Sequence, residues 1–114
     1  MKDCIFCRIV AGQIPSEIVH DDDQALAFQD INPQAPIHLL IIPKRHIDRL
    51  SSVTDQEQAL AGYLLHLASR LAREKGIADE GFRLVVNSGP KAGQTVFHLH
   101  IHLMGGRMFD WPPG

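Results

Sequence analysis

The sequence predicts an α+β domain in which one long helix packs on a mostly antiparallel, five-stranded sheet. Three observations carry this: one capped run of leucines at helical spacing, several short apolar runs divided by turn residues, and a closing segment that alternates imidazole with aliphatic side chains. A chain of 114 residues holds one hydrophobic core, so a single domain over 1–114 is expected.

Residues 4–10 (CIFCRIV) are apolar enough for a short helix or turn before Ala11-Gly12 and Pro15 break it. Residues 17–21 and 24–30 read as two strands of a hairpin turning at Asp22-Asp23. In the second strand Leu26, Phe28 and Asp30 share a face by the period of two. Asn32-Pro33 and Pro36 mark a loop. The run 37–42 (IHLLII) then reads as a strand buried on both sides and stopped by Pro43. Thr54-Asp55-Gln56-Glu57 is a capping box, in which hydroxyl and carboxylate each satisfy an orphan backbone donor. Leu60, Leu64, Leu67 and Leu71 follow on one helical stripe, Arg73 and Lys75 suit the helix C-terminus, and Gly76 stops it. A strand at 82–86, a glycine-bearing loop at 87–95 and a last strand at 96–104 complete the sheet, and Trp111-Pro112-Pro113-Gly114 forms no regular element.

An apolar fraction of 45%, a charged fraction of 21% and a net charge of −2 describe an ordinary soluble chain with no basic field for nucleic acid. No apolar run is long enough to span a membrane, and MKDCIFCRIV is too short and mixed for a secretory signal. A cytoplasmic location is the expectation. There, Cys4-x-x-Cys7 reads as metal-binding, redox-active or buried thiols, and less as a structural disulfide.

The chemistry concentrates in Val96-Phe97-His98-Leu99-His100-Ile101-His102-Leu103-Met104. On a strand, the three histidines face one way, roughly 6–7 Å apart, and Leu99, Ile101 and Leu103 face the core. That spacing suits one phosphoryl group, with one ring attacking and the others bonding oxygens. Neutral imidazole is nucleophilic near pH 7, and a protonated neighbour can assist a leaving group. A His-x-His pair also suits zinc, but a zinc hydrolase wants a further ligand and a base, and the next carboxylate along the chain is Asp110. The preceding loop, Asn87 to Thr95, offers glycine amides and the side chains of Asn87, Gln94 and Thr95 to an anion.

His98 to Met104 resembles, position by position, the signature of the histidine triad family, His-Φ-His-Φ-His-Φ-Φ with Φ hydrophobic. The similarity extends over CIFCRIVAGQIPSEIV, LAFQDINPQAPIHLLIIPKRHI, AGQTVFHLHIHLMGGR and the ending WPPG, and is greatest to the family's nucleotide-binding branch. The resemblance implies a HIT-like fold. It also implies a homodimeric purine-nucleotide hydrolase that cleaves P–N bonds of adenosine or guanosine phosphoramidates and releases the nucleoside monophosphate. It makes His100 the nucleophile, which becomes covalently nucleotidylated, with His98 and His102 in support. Asn87, Gly93, Gln94 and Thr95 would line the phosphate site, Asp30 would bind the ribose, and Phe6, Ile14, Phe28 and Ile31 would surround the base. No cofactor is implied for catalysis. A structural zinc on Cys4, Cys7, His46 and His98 is implied by some relatives and completes a tetrahedral set. The tail through Trp111 is implied to reach a partner subunit's site. His20, His38 and His66 match no catalytic position and are expected to be surface or structural histidines. Two other classes stand beside the phosphoramidase: a zinc-dependent hydrolase, and a regulatory nucleotide binder with little turnover.

Overall fold

In the computed structural model, residues 3–114 are described, so the expected domain span of 1–114 includes two residues outside them. The elements are α1 (Ile5–Val10), β1 (Ile18–Asp21), β2 (Ala25–Gln29), β3 (Ile37–Pro43), α2 (Gln58–Glu74), β4 (Phe82–Val85) and β5 (Ile101–Gly105). The five strands form one sheet in the order β1-β2-β3-β5-β4, every neighbouring pair antiparallel. The α+β class, the strand count and the single long helix are as expected.

Local chemistry explains most of the element boundaries. Thr54 and Glu57 form the capping box, Thr54 N–H donating to the Glu57 carboxylate at 2.9 Å, but the first turn is 3₁₀ and the α-helix begins at Gln58. Leu64, Leu67 and Leu71 of α2 are buried against the sheet, with Leu60 partly buried above them. Each buried leucine stabilises the fold by about 1.5–3 kcal/mol. On that side α2 meets Ala25 and Ala27 of β2, Leu39 and Ile41 of β3, and Ile101 and Leu103 of β5. The alternate residues Leu26, Phe28, Leu40 and Ile42 pack on the opposite face against Phe6 and Ile9 of α1. Strands β2 and β3 are therefore buried on both sides, and α1 is the lid of the second face.

The expected strand over 96–104 is shorter than the alternation suggested. β5 starts at Ile101, whose partner on β3 is Ile41. Pro43 ends β3, and the Leu99 amide turns away to donate to the Ile47 carbonyl at 2.6 Å. Residues 96–100 thus lack a strand partner and run as irregular chain.

Asp22 fastens the β1–β2 turn to α2. Its Oδ1 accepts from the Gln24 and Ala25 amides at 2.7 and 2.8 Å, and its Oδ2 meets His20 at 2.6 Å and accepts from the Tyr63 hydroxyl. Burial works to raise its pKa, but the bonds from Tyr63, His20 and the two amides win and hold the carboxyl far below its ordinary range. A depressed folded-state pKa contributes stability above about pH 4 that is lost as pH falls. Asp22→Ala is expected to lower unfolding free energy by about 1–3 kcal/mol at pH 7. Urea titrations should show that gap narrowing below pH 4.

Candidate active site and metal centre

Two groups of side chains meet on the face covered by α1. The first is built around His100 and His102. His100 is buried and packs edge-on to Phe6 at 5.2 Å and to His102 at 5.1 Å between ring centroids. Its Nδ1–H donates to the His98 carbonyl at 2.7 Å, because a carbonyl can only accept. The lone pair of neutral His100 therefore sits on Nε2, free for a nucleophilic role.

His102 projects from β5, with Leu40 as its partner on β3. Its Nδ1 lies 2.9 Å from Nε2 of His38, a buried histidine of β3. The Gln34 amide donates to His38 Nδ1 at 3.0 Å, so neutral His38 carries its proton on Nε2. That N–H faces His102 Nδ1, which makes His102 the Nε2–H tautomer. Burial lowers the His38 pKa, against the opposing pull of Asp30. Burial, followed by His100 and His38, pushes His102 down to about 4. Asp30, just past the end of β2, places Oδ2 3.4 Å from His38 Nε2 and turns Oδ1 onto the Asn32 amide.

His38 is buried with both ring nitrogens hydrogen-bonded, in keeping with a structural histidine, and pairing between β3 and β5 makes it the neighbour of His102. One expectation is corrected here. A carboxylate is close to the histidines: Asp30 stands beside them in space although Asp110 is the next along the chain.

The second group is Cys4, Cys7, His46 and His98, whose ligand atoms all lie within 4.8 Å of one another. His98 Nδ1 is 3.3 Å from Cys4 Sγ and 3.6 Å from Cys7 Sγ, and His46 Nδ1 is 3.4 Å from Cys7 Sγ. The other His98 nitrogen, Nε2–H, donates to the Pro43 carbonyl at 2.8 Å. That bond leaves Nδ1 as a lone pair aimed at the thiols, the arrangement a metal-binding imidazole requires. Burial depresses the His98 pKa, the Pro43 bond opposes it, and His46 and His100 add to the depression. Burial, then Cys4, raises the Cys7 thiol. The donor set and the His98 tautomer fit zinc.

Asp30, His38 and His102 also bring three ligand atoms within 4.8 Å. The Gln34 amide argues against a metal there, because it keeps the His38 proton on the nitrogen that would have to bind. This group is a hydrogen-bond relay.

His98 departs from the expected common face. Its ring is fully buried and belongs to the thiol group, while its carbonyl serves His100. Phe6 and Phe28 are buried edge to face at 5.5 Å, and Ile14 packs partly buried on the same cluster. Ile31 is 98% exposed and lies outside that cluster. In the loop before β5, Gly93 adopts φ 92°, a conformation that favours glycine, and Thr95 is exposed. Asn87 is half-buried at the start of the loop. Gln94 differs from the expected free donor. Its Oε1 accepts from the Gly89 amide at 2.8 Å, and its Nε2 donates to the Asp48 and Val96 carbonyls at 2.9 and 3.1 Å. Its side chain therefore shapes the loop. His20 pairs with Asp22 and His66 is exposed on α2, both in keeping with structural or surface roles.

A family model described as the HIT domain matches residues 11–109. An uncharacterized HIT-like protein of Synechocystis sp. is 53% identical over 113 residues, covering 99% of this chain and 98% of that one. Among solved structures, a HIT family hydrolase from Legionella pneumophila superposes with a TM-score of 0.97 at 48% identity, covering 98% of this chain and 100% of the other. A Zn-bound histidine triad family protein from Mycobacterium smegmatis matches with a TM-score of 0.80 at 33% identity, over 96% of this chain and 79% of its own.

Proposed function

Because this chain belongs to the HIT domain family, we propose that it is a purine nucleoside phosphoramidase, acting through a nucleotidyl-histidine and releasing the nucleoside monophosphate. The observation that carries the proposal is the tautomer pair: His100 offers an Nε2 lone pair, and the adjacent His102 offers an Nε2–H. His100 Nε2 attacks phosphorus as the P–N bond breaks, while the Nε2–H of neutral His102 hydrogen-bonds the departing nitrogen, which takes up a proton from solvent. Water then attacks phosphorus, breaking its bond to His100, and gives its proton back to solvent. The Asn87–Thr95 loop receives phosphate oxygens through Asn87, Thr95 and backbone amides around Gly93. Asp30 holds the ribose, and Phe6, Ile14 and Phe28 flank the base, with Ile31 at its exposed edge.

The test is a turnover panel of adenosine and guanosine phosphoramidates, with phosphate esters and dinucleoside polyphosphates alongside, run with and without chelator. Preferred P–N cleavage that persists in chelator is expected. Loss in chelator with recovery on adding zinc would identify a zinc hydrolase, and AMP binding without turnover would identify a regulatory binder.

Zinc at Cys4, Cys7, His46 and His98 has a structural role in this reading, supported by the lone pair that His98 Nδ1 turns to the thiols and by the zinc-bound relative. About one zinc per chain is expected in protein purified without chelator, falling below about 0.2 in Cys4→Ala with a lower Tm. Full zinc occupancy in that variant would remove the site.

The purine nucleotide is the proposed small-molecule partner, and a second copy of the chain the proposed protein partner. β4 lies at a sheet edge with Phe82, Leu84 and Val85 only half-buried, and Met108 and Trp111 of the tail are 88% and 84% exposed. Sedimentation at micromolar concentration should give a dimer, and truncation after Met108 should alter substrate selectivity. A monomer, or a truncation with unchanged selectivity, would count against the pairing.

A further inference from the structure

The loop carrying residues 32–36 is exposed except for half-buried Ala35, contains two prolines, and nonetheless sets the tautomer of buried His38 through the Gln34 amide. Such a segment needs an anchor to hold one amide on one nitrogen. The structure supplies one 73 residues away: Arg107 Nε–H donates to the Gln34 carbonyl at 2.8 Å. The same guanidinium donates from Nη1 to the Met108 carbonyl at 2.8 Å and lies 4.1 Å from the Phe109 ring centroid. Three contacts fix its plane, as a fork of rigid donors allows and a lysine ammonium does not. Gly106 adds a steric stop: a Cβ there would come within 3.0 Å of Pro36, so the chain passes close against the loop.

We propose that Arg107 is a positioning residue for the reaction, holding Gln34 so that its amide fixes His38, and through His38 the Nε2–H that His102 presents to the departing group. The relay runs from Arg107 Nε to the Gln34 carbonyl, from the Gln34 amide to His38 Nδ1, and from His38 Nε2–H to His102 Nδ1. Arg107 is oriented by the segment after β5, so the conformation of that segment sets the proton inventory of the histidine pair. The contact lies within one chain and does not depend on pairing with a second copy. The inference rests on the phosphoramidase reading for its catalytic consequence, but not for its structural one.

The experiment is ¹⁵N NMR of the imidazole nitrogens, with kinetics in parallel. Wild type should show His38 and His102 both protonated on Nε2 at pH 7. In Arg107→Ala a protonated Nδ1 signal should appear for His102. kcat for a phosphoramidate with a basic amine should fall about 5–20-fold with KM within twofold, the range expected when a remote contact biases a site. Arg107→Lys should resemble the alanine variant, since it keeps the charge and loses the fork. Arg83→Ala supplies the contrast. It removes the bond to the Asp110 carbonyl and a 5.1 Å contact with Phe109 but leaves Gln34 held, so the wild-type tautomers should persist. Wild-type ¹⁵N patterns in both Arg107 variants would overturn the proposal, whatever their melting temperatures. So would an equal tautomer change in Arg83→Ala, which would mean that docking of the tail alone is responsible. The tautomer readout needs no substrate, so wild-type protein without P–N turnover would sink the function reading and leave this one still decided by NMR.

Discussion

His100→Ala is expected to lower kcat for P–N cleavage by at least about 10⁴-fold, the scale seen when a catalytic nucleophile is removed. No neighbour can replace it: His98 has one nitrogen on the Pro43 carbonyl and the other at the thiols, and His102 carries its proton on Nε2. The fold should survive, at a cost of about 1–2 kcal/mol, because the ring is buried against Phe6 and leaves a gap there. Circular dichroism and a melting curve would separate loss of chemistry from loss of structure. Two in-line displacements through His100 should give net retention with a substrate chiral at phosphorus, and mass spectrometry of quenched reactions should find the nucleotidyl group on His100. Inversion would exclude the covalent route. An adduct on His98 or His102 would keep the route and move the nucleophile.

His102→Ala carries the second large effect. Charge builds on an amine expelled from phosphorus, and loss of the hydrogen bond that His102 Nε2–H gives that nitrogen is expected to cost about 10²–10³-fold. The loss should therefore be of that order for basic amines and much smaller for weakly basic aryl amines, so a plot of log kcat against amine pKa should steepen. Parallel losses across the series would leave His102 with a positioning role alone. The pair His38 and His102 also bears on pH. Burial lowers both pKa values, His102 to about 4, so both stay neutral in the folded protein near pH 7. The unfolded chain binds those protons first as pH falls below about 6.5, so this part of the stability is present above that value and declines below it.

The sequence revealed those features that depend on near neighbours along the chain. The capping box at Thr54, the leucine stripe of α2 and the alternation of Leu99, Ile101 and Leu103 toward the core all follow from local periodicity, and all appear in the structure. What escaped was set by pairing across the sheet. Alternation continues back to Phe97, but a strand needs a partner, and β3 ends at Pro43 before it can supply one. His38 looked like a polar interruption in an apolar strand, and that interruption was the available signal. Its importance comes from the register that sets Leu40 opposite His102 and Met104 opposite His38. Asp30 is separated from His102 by most of the chain, so no motif length could reveal the carboxylate beside the histidines. Gln94 was legible as a polar loop residue, but its three hydrogen bonds to backbone were not.

Cys4 and His98 lie 94 positions apart and meet at 3.3 Å. An ion bound by both would close most of the polypeptide into a ring. Such a closure restricts the denatured ensemble far more than the native one, and the effect grows with the logarithm of ring size. Bound metal would thus act as a removable staple between distant parts of the chain, its binding free energy adding to the stability of the folded state. Its release would restore freedom to the unfolded polypeptide while leaving the sheet's own hydrogen bonds untouched.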